Sequence, residues 1–253
     1  MTRMGSLACR WGALVVLLCA WAAPARADFG DPDFELDDVS AWTLRSGELS
    51  FSPEAVRLGI AGALELGSYY PLDAIGAPNA DLKVTIHAGP WLAVAARVGV
   101  LYFDPRFVGI DSDFEVLAVP LALEASGKPL EQVRVHGAIE FLSARPDTQA
   151  PDGALRVERH IGPVGRLALR LGGEYRFGDH FSALGQLELP LMAHRKELLY
   201  PDESDGFGAH ARVEAAMQMV YAAFNLRLGV GYGPSFLGKA GVFPVFQIGV
   251  RVF

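Results

Sequence analysis

The chain has 253 residues, 22 Lys and Arg against 29 Asp and Glu, and a hydrophobic fraction of 51%. A net charge of −7 argues against nucleic acid as a partner, and the length suits one all-β domain. Mean hydropathy is +0.24, yet beyond the N-terminus no apolar run reaches the roughly 18 residues of a helical membrane span; the best, 89–103, contains Arg97.

Residues 1–27 read as a signal peptide. Arg3 and Arg10 supply a basic n-region, 12–22 an apolar h-region, and Ala25-Arg26-Ala27 the small residues of a cleavage site near Ala27. Leu18 stands where a lipobox needs a small residue before Cys19, so lipidation is not expected. Removing the signal takes away both cysteines, three arginines and no acid, leaving a net charge of −10. Export without disulfides requires stability from burial or from a closed hydrogen-bond network.

Residues 28–38 (DFGDPDFELDD) hold six acids and little periodicity, and read as a solvated tail rather than a Ca²⁺ loop. From residue 39 to 253 strands follow one another. The predicted segments are 39–45, 48–58, 63–70, 80–87, 91–103, 113–124, 131–142, 163–177, 181–193, 207–221, 226–233 and 242–253, an even count of twelve, with ten as the alternative. Segment 212–224 is rich in Ala, Met, Glu and Gln, which favour helix over strand. Short connections at 59–62, 88–90, 126–130, 178–180 and 222–225 alternate with long ones at 71–79, 104–112, 143–162 and 194–206, and a medium one at 234–241. Ser46-Gly47 would be a two-residue hairpin on the long-loop side.

Within the strands polarity alternates with period two. In 164–177 (VGRLALRLGGEYRF) Leu167, Leu169, Leu171, Tyr175 and Phe177 share one face, and Arg166, Arg170, Glu174 and Arg176 the other. Val133, Val135, Ile139 and Phe141 oppose Arg134, His136 and Glu140; Leu226, Leu228, Val230 and Tyr232 oppose Arg227. Lys83, Arg97, Glu188, His210, Arg212, Glu214 and Arg251 fall on the charged faces, and aromatic residues such as Tyr102, Phe103, Tyr175, Phe177 and Tyr232 gather near strand ends. Alternation alone fits two polarities: a membrane barrel with its charges inside, or a soluble lipocalin-like periplasmic barrel with its charges outside.

The chain ends F-P-V-F-Q-I-G-V-R-V-F, and this strand resembles the terminal strand of bacterial outer-membrane β-barrels. The resemblance implies an up-and-down antiparallel transmembrane barrel in the outer membrane of a Gram-negative bacterium. It further implies outer-membrane lipid as surroundings, and an insertion signal of Phe246, Ile248, Val250, Val252 and Phe253 read by the barrel-assembly machinery. Phe253 departs from the usual phase, falling with Arg251 and Gln247 rather than with the apolar set.

No metal spacing, cofactor motif or solute signature stands out. His180-Phe181-Ser182 is similar to the H-x-S triplet of outer-membrane lipid A deacylases, which gives a lipid hydrolase as a minor alternative, but it follows a short turn at the wrong depth. The functional candidates are therefore the lumen charges: Arg134, His136, Glu140, Arg166, Arg170, Glu174, Arg176, Glu188, His210, Arg212, Glu214, Arg227 and Arg251. They would either salt-bridge a structural lumen or line a small passive channel.

Overall fold

A computed structural model describes residues 40–52, 55–69, 72–73, 77–109, 114–148, 164–194, 211–221, 223–234 and 240–252. The signal peptide, the acidic tail 28–38, His210 and Phe253 lie outside the described residues.

Twelve antiparallel strands close on themselves: β1 (Leu49–Phe51), β2 (Val56–Gly59), β3 (Leu64–Ser68), β4 (Asn79–Ala88), β5 (Leu92–Phe103), β6 (Phe114–Leu130), β7 (Val133–Thr148), β8 (Val164–Arg176), β9 (Phe181–His194), β10 (Arg212–Tyr221), β11 (Phe224–Pro234) and β12 (Ala240–Val252). Each pairs with its sequence neighbours, and β1 closes the ring on β12 through Leu49↔Val252, Ser50↔Arg251 and Phe51↔Val250. Closure leaves no strand without a neighbour on either side, as a wall in lipid requires.

The count of twelve matches the sequence expectation by two compensating differences. Residues 40–45 form no strand: their backbone turns into the lumen, where side chains of the wall take its hydrogen bonds. The predicted strand 48–58 is two, because the chain reverses between Phe51 and Val56, where Ser52 N–H donates to Ala55 O. The Ser46–Gly47 turn therefore sits at the other end of the barrel from the one expected. Gly47 N–H donates to Gly59 O and Ser46 Oγ to Ile60 O, beside the β2–β3 turn. Gly47 and Gly62 hold φ of +83° and +70° in these adjacent turns, a region that favours glycine. Ser126–Leu130, read as a connection, belongs to β6, whose ladder with β7 shifts register between Gly127 and Leu130.

Side-chain exposure fixes the polarity. Leu123, Ile139, Leu171, Met217, Leu228 and Phe246 face outward and are exposed, as is Val242 at 78%, whereas Glu124, Arg134, Glu174, Arg227 and Arg251 are buried inside. That is the arrangement of a transmembrane barrel and the reverse of a soluble one. No described helix is long and apolar enough to cross a membrane, and the strands carry the crossing instead. Segment 212–221 becomes β10 despite its composition: Met217 points outward, and pairing on both sides outweighs local helix preference. Trp91, Phe177, Phe181, Tyr221 and Phe224 are exposed at the short-turn end, forming an aromatic girdle.

Candidate functional site: a lumen filled from the N-terminus

The lumen is occupied at its short-turn end by the chain itself. Residues 40–44 run inside the wall, all five buried. Ala41 N–H donates to Ser126 Oγ at 2.8 Å, Leu44 N–H to Glu65 Oε2 at 3.0 Å, and Lys83 Nζ to Ser40 O at 2.7 Å. Thr43 Oγ1 donates to Gly62 O, and Thr85 Oγ1 to Thr43 Oγ1. Ala41 and Trp42 pack on Ala93 and Ala95, inward residues of β5 whose small size leaves room for the segment. The Trp42 ring meets His136 edge-on at 6.5 Å. Wall side chains thus take three backbone groups of a segment that lacks a ladder, and Trp42 N–H turns to Ser40 Oγ within it.

Around this segment the charges of β2–β6 form one network. Arg57 lies 3.0 Å from Glu65 and 3.7 Å from Asp81; Lys83 lies 3.9 Å from both Glu65 and Glu124; Arg97 is 2.8 Å from Glu124. Three cations meet three carboxylates, so the cluster is neutral as a whole, the condition for burying it at tolerable cost. Gly67 makes space for it: a Cβ there would stand 2.7 Å from the Asp81 carboxylate.

Ser126 Oγ also lies 2.8 Å from His136 Nδ1. The same oxygen receives Ala41 N–H, so the hydroxyl bridges the segment and the imidazole. This hydroxyl–imidazole pair holds a backbone amide, not a substrate. The H-x-S triplet is not brought together at all. His180 is exposed at the rim with its ring 5.4 Å from Tyr221, while Ser182 is fully buried and its Oγ has no hydrogen-bond partner.

The charges expected to face inward occupy β7–β12. Arg134 is 3.9 Å from Glu174; Arg170 bridges Glu140 at 3.1 Å and Glu188 at 3.3 Å, and Arg166 also pairs with Glu188. Arg176 stands at the short-turn rim and donates to Gly178 O. Arg212 pairs with Glu214 and lies 4.6 Å over the Phe243 ring, whose outer end occupies the space a Cβ at Gly231 would need. Arg227 donates to Gln218 Oε1, and Arg251 pairs with Glu48. Composition of the arginine-rich strands pointed to this half. Glu48, Arg57, Glu65, Asp81, Glu124 and Ser126 were missed because they are spread over β2–β6 and the turn before β1, with no strand carrying a run of alternating charges like that of β8.

Accessibility is graded along the axis. Toward the short-turn end Ser182 and Val220 are inaccessible, and Gln218, Asn225 and Arg251 nearly so. Higher up, Arg212 exposes 45% of its side chain, and Arg166, Arg170 and Glu140 about a quarter each. Opposite residues 40–44, along β8–β12, a cavity of about 310 Å³ is lined by Arg170, Gln186, Glu188, Arg212, Glu214, Arg227 and Gln247.

No protein-family profile and no curated protein matches the chain. Solved structures of related architecture exist. The NanC porin superposes with a TM-score of 0.48 at 9% identity, over 81% of this chain and 97% of that one. OmpT, an outer membrane protein of Vibrio cholerae, gives 0.42 at 15% identity over 78% and 63%. The outer membrane channel DcaP of Acinetobacter baumannii gives 0.36 at 13% identity over 78% and 60%. The likeness adds nothing to the closed ladder already described.

Proposed function

We propose that the chain is an integral outer-membrane β-barrel, exported with cleavage near Ala27, whose lumen is held shut at the short-turn end by its own residues 40–44. The observation that carries this reading is the capture of that segment's backbone by Ser126, Glu65 and Lys83 inside the wall. The short turns then face the periplasm and the long connections the outside, as in bacterial barrels generally. Phe246, Ile248, Val250 and Val252 share the outward face of β12 and serve as the segment read by the assembly machinery. The role is structural rather than catalytic, because the H-x-S residues are separated and the Ser126–His136 pair is occluded.

A second reading has its own support. The polar cavity on the β8–β12 side is where a narrow path for small solutes would run, with arginines giving it an anion preference.

Planar-bilayer recording on the refolded chain 28–253 separates the two. A shut lumen gives no sustained single-channel current, and replacing Ala41–Leu44 by a Gly-Ser stretch produces it. Stable current steps of equal size in both proteins would sink the closed reading and establish the path along β8–β12.

A further inference from the structure

The ring closes unevenly. Strands β4–β12 have 10–17 residues each, whereas β1, β2 and β3 have 3, 4 and 5. A tilted strand needs about 9–11 residues to cross the hydrocarbon, so these three climb only part of the way from the short-turn end. Described contacts fix their tops: Ser52 N–H donates to Ala55 O across the β1–β2 turn, and Tyr69 N–H to Asn79 Oδ1 above β3. The strand most affected is β12, which has eleven residue pairs with β11 and three with β1. Arg251 N–H donates to Ala223 O, so in this unshifted ladder the odd-numbered residues of β12 turn their backbone groups to β11 and the even-numbered ones away. Val250 and Val252 meet Phe51 and Leu49 there. Above them Ile248, Phe246, Pro244 and Val242 have no ladder partner on that side among the described residues. Pro244 suits such an edge, since proline sits in strands where its missing N–H faces no neighbour. From β12 the gap runs to β4, four strand spacings or about 19 Å between axes.

On the lumen side of this stretch, Pro244–Gln247 line the cavity of about 310 Å³. The guanidiniums there are already engaged: Arg170 with Glu140 and Glu188, Arg212 with Glu214, and Arg227 with Gln218. Outside, Val242 and Phe246 present exposed apolar side chains to the membrane. The N–H groups of Phe246 and Ile248 lie between the two surroundings and face the gap. We infer that the gap between β12 and β4 is a lateral port holding a single-chain amphiphile, its uncharged oxygen-bearing head at the β12 edge and its acyl chain in the membrane. An amide left bare in hydrocarbon is costly, and a hydroxyl or ester oxygen relieves it where an alkyl chain cannot. An antiparallel ladder with β12 of a second copy is excluded, because in two barrels inserted the same way both strands descend toward the short-turn end. The port opens in the long-loop half, the outer leaflet in the orientation proposed above. The inference rests on strand length and register, not on whether the lumen conducts.

The chain after residue 27 contains no cysteine, so a single thiol can carry a fluorescent reporter. In the folded chain 28–253 in lipid vesicles, bimane on Val245→Cys faces the cavity and bimane on Met217→Cys faces lipid. The probe is the laurate ester of hydroxy-TEMPO, a nitroxide head on an acyl chain; hydroxy-TEMPO is the head alone. At Val245→Cys the ester quenches saturably, at concentrations about tenfold or more below those the head alone needs, because burial of the chain adds affinity. Unlabelled monolaurin reverses that quenching. At Met217→Cys quenching rises linearly with the ester and monolaurin leaves it unchanged. Heat-modifiable migration confirms that each variant is folded. Equal quenching by ester and head alone at Val245→Cys would overturn the inference in favour of a water-borne solute, and linear quenching without competition there would overturn it in favour of bulk lipid. Hydrogen exchange on the unsubstituted chain 28–253 gives a second reading. Without amphiphile the Phe246 and Ile248 amides exchange about tenfold or more faster than those of Val245 and Gln247, and monolaurin slows them. Equal protection of all four would show that another strand fills the gap, and the port would not exist.

Discussion

Glu48 and Arg251 stand 203 residues apart and meet inside the seam of the barrel, with Arg251 Nη2 donating to Glu48 Oε2 at 2.8 Å. The same carboxylate accepts Arg45 N–H at 2.8 Å. One side chain therefore fixes the turn that brings the chain out of the lumen and ties the first strand to the last. Both residues are almost wholly buried, and the ladder they reinforce has only three residue pairs on each side of β1.

Glu48→Gln leaves the Arg251 guanidinium buried without its counter-charge. The loss is about 3–5 kcal/mol, the usual cost of breaking a buried pair from one side. Urea unfolding in detergent reads it. The double variant Glu48→Met with Arg251→Met recovers most of that loss, because it removes both charges together; no recovery would mean that the pair acts through the Arg45 turn instead.

Trp42→Ala removes the ring that packs beside Ala93 and Ala95 and meets His136. Truncating a large buried aromatic costs about 3–5 kcal/mol in a core. Here the ring sits in the lumen rather than in the strand ladder, so the loss appears mainly as lumen access. We expect channel activity to rise in planar bilayers while the temperature of gel heat-modification changes by only a few degrees. A large fall in that temperature with no current would show the segment to be part of the core.

Ile139 faces lipid opposite Leu123 and Leu169, while Glu140, next in sequence, faces the lumen. Ile139→Arg costs about 2–4 kcal/mol if it lies near the midplane. Glu140→Gln costs under about 1 kcal/mol, since Arg170 keeps Glu188 and the site is partly wet. Folding titrations into lipid vesicles measure both. Equal costs would reverse the assignment of faces.

On the long-loop side, beyond β5, Asp104 is held below the usual aspartate range chiefly by the hydrogen bonds Arg106 donates to it. A lowered native value stabilises the loop above the unfolded aspartate value of about 3.9, and the contribution is lost as pH falls through the lower native one. Protection of the Arg106 amide, which donates to Asp104 Oδ1, should stay level across neutral and mildly acidic pH and fall only under strongly acid conditions, after correction for intrinsic exchange. Asp104→Ala should abolish it throughout. Protection that already halves near pH 6 would contradict this account.

The wall was legible because a membrane barrel writes its two faces into alternating residues. Leu167 to Arg176 shows this most plainly, and the strands from β4 to β12 repeat it to varying degrees. Residues 40–45 were not legible. Ser-Ala-Trp-Thr-Leu-Arg alternates as a strand does, and nothing in its composition distinguishes an extended segment in the wall from one in the lumen. The break at 52–55 did have a signal, Ser52-Pro53, which speaks against one continuous strand from 48 to 58. The arginine-bearing strands announced their half of the lumen through charge density. Glu65, Glu124 and Ser126 gave no such notice, because their importance comes from what the N-terminal segment brings to them across the barrel.

The seam also sets the order in which the molecule can be completed. Arg251 is supplied by β12, which must be paired on both sides before the ring closes. A copy without β12 is therefore an open sheet with two raw borders rather than a slightly smaller barrel. Closure is all or none, and the three-pair seam between β1 and β12 is what separates a closed copy from an open one.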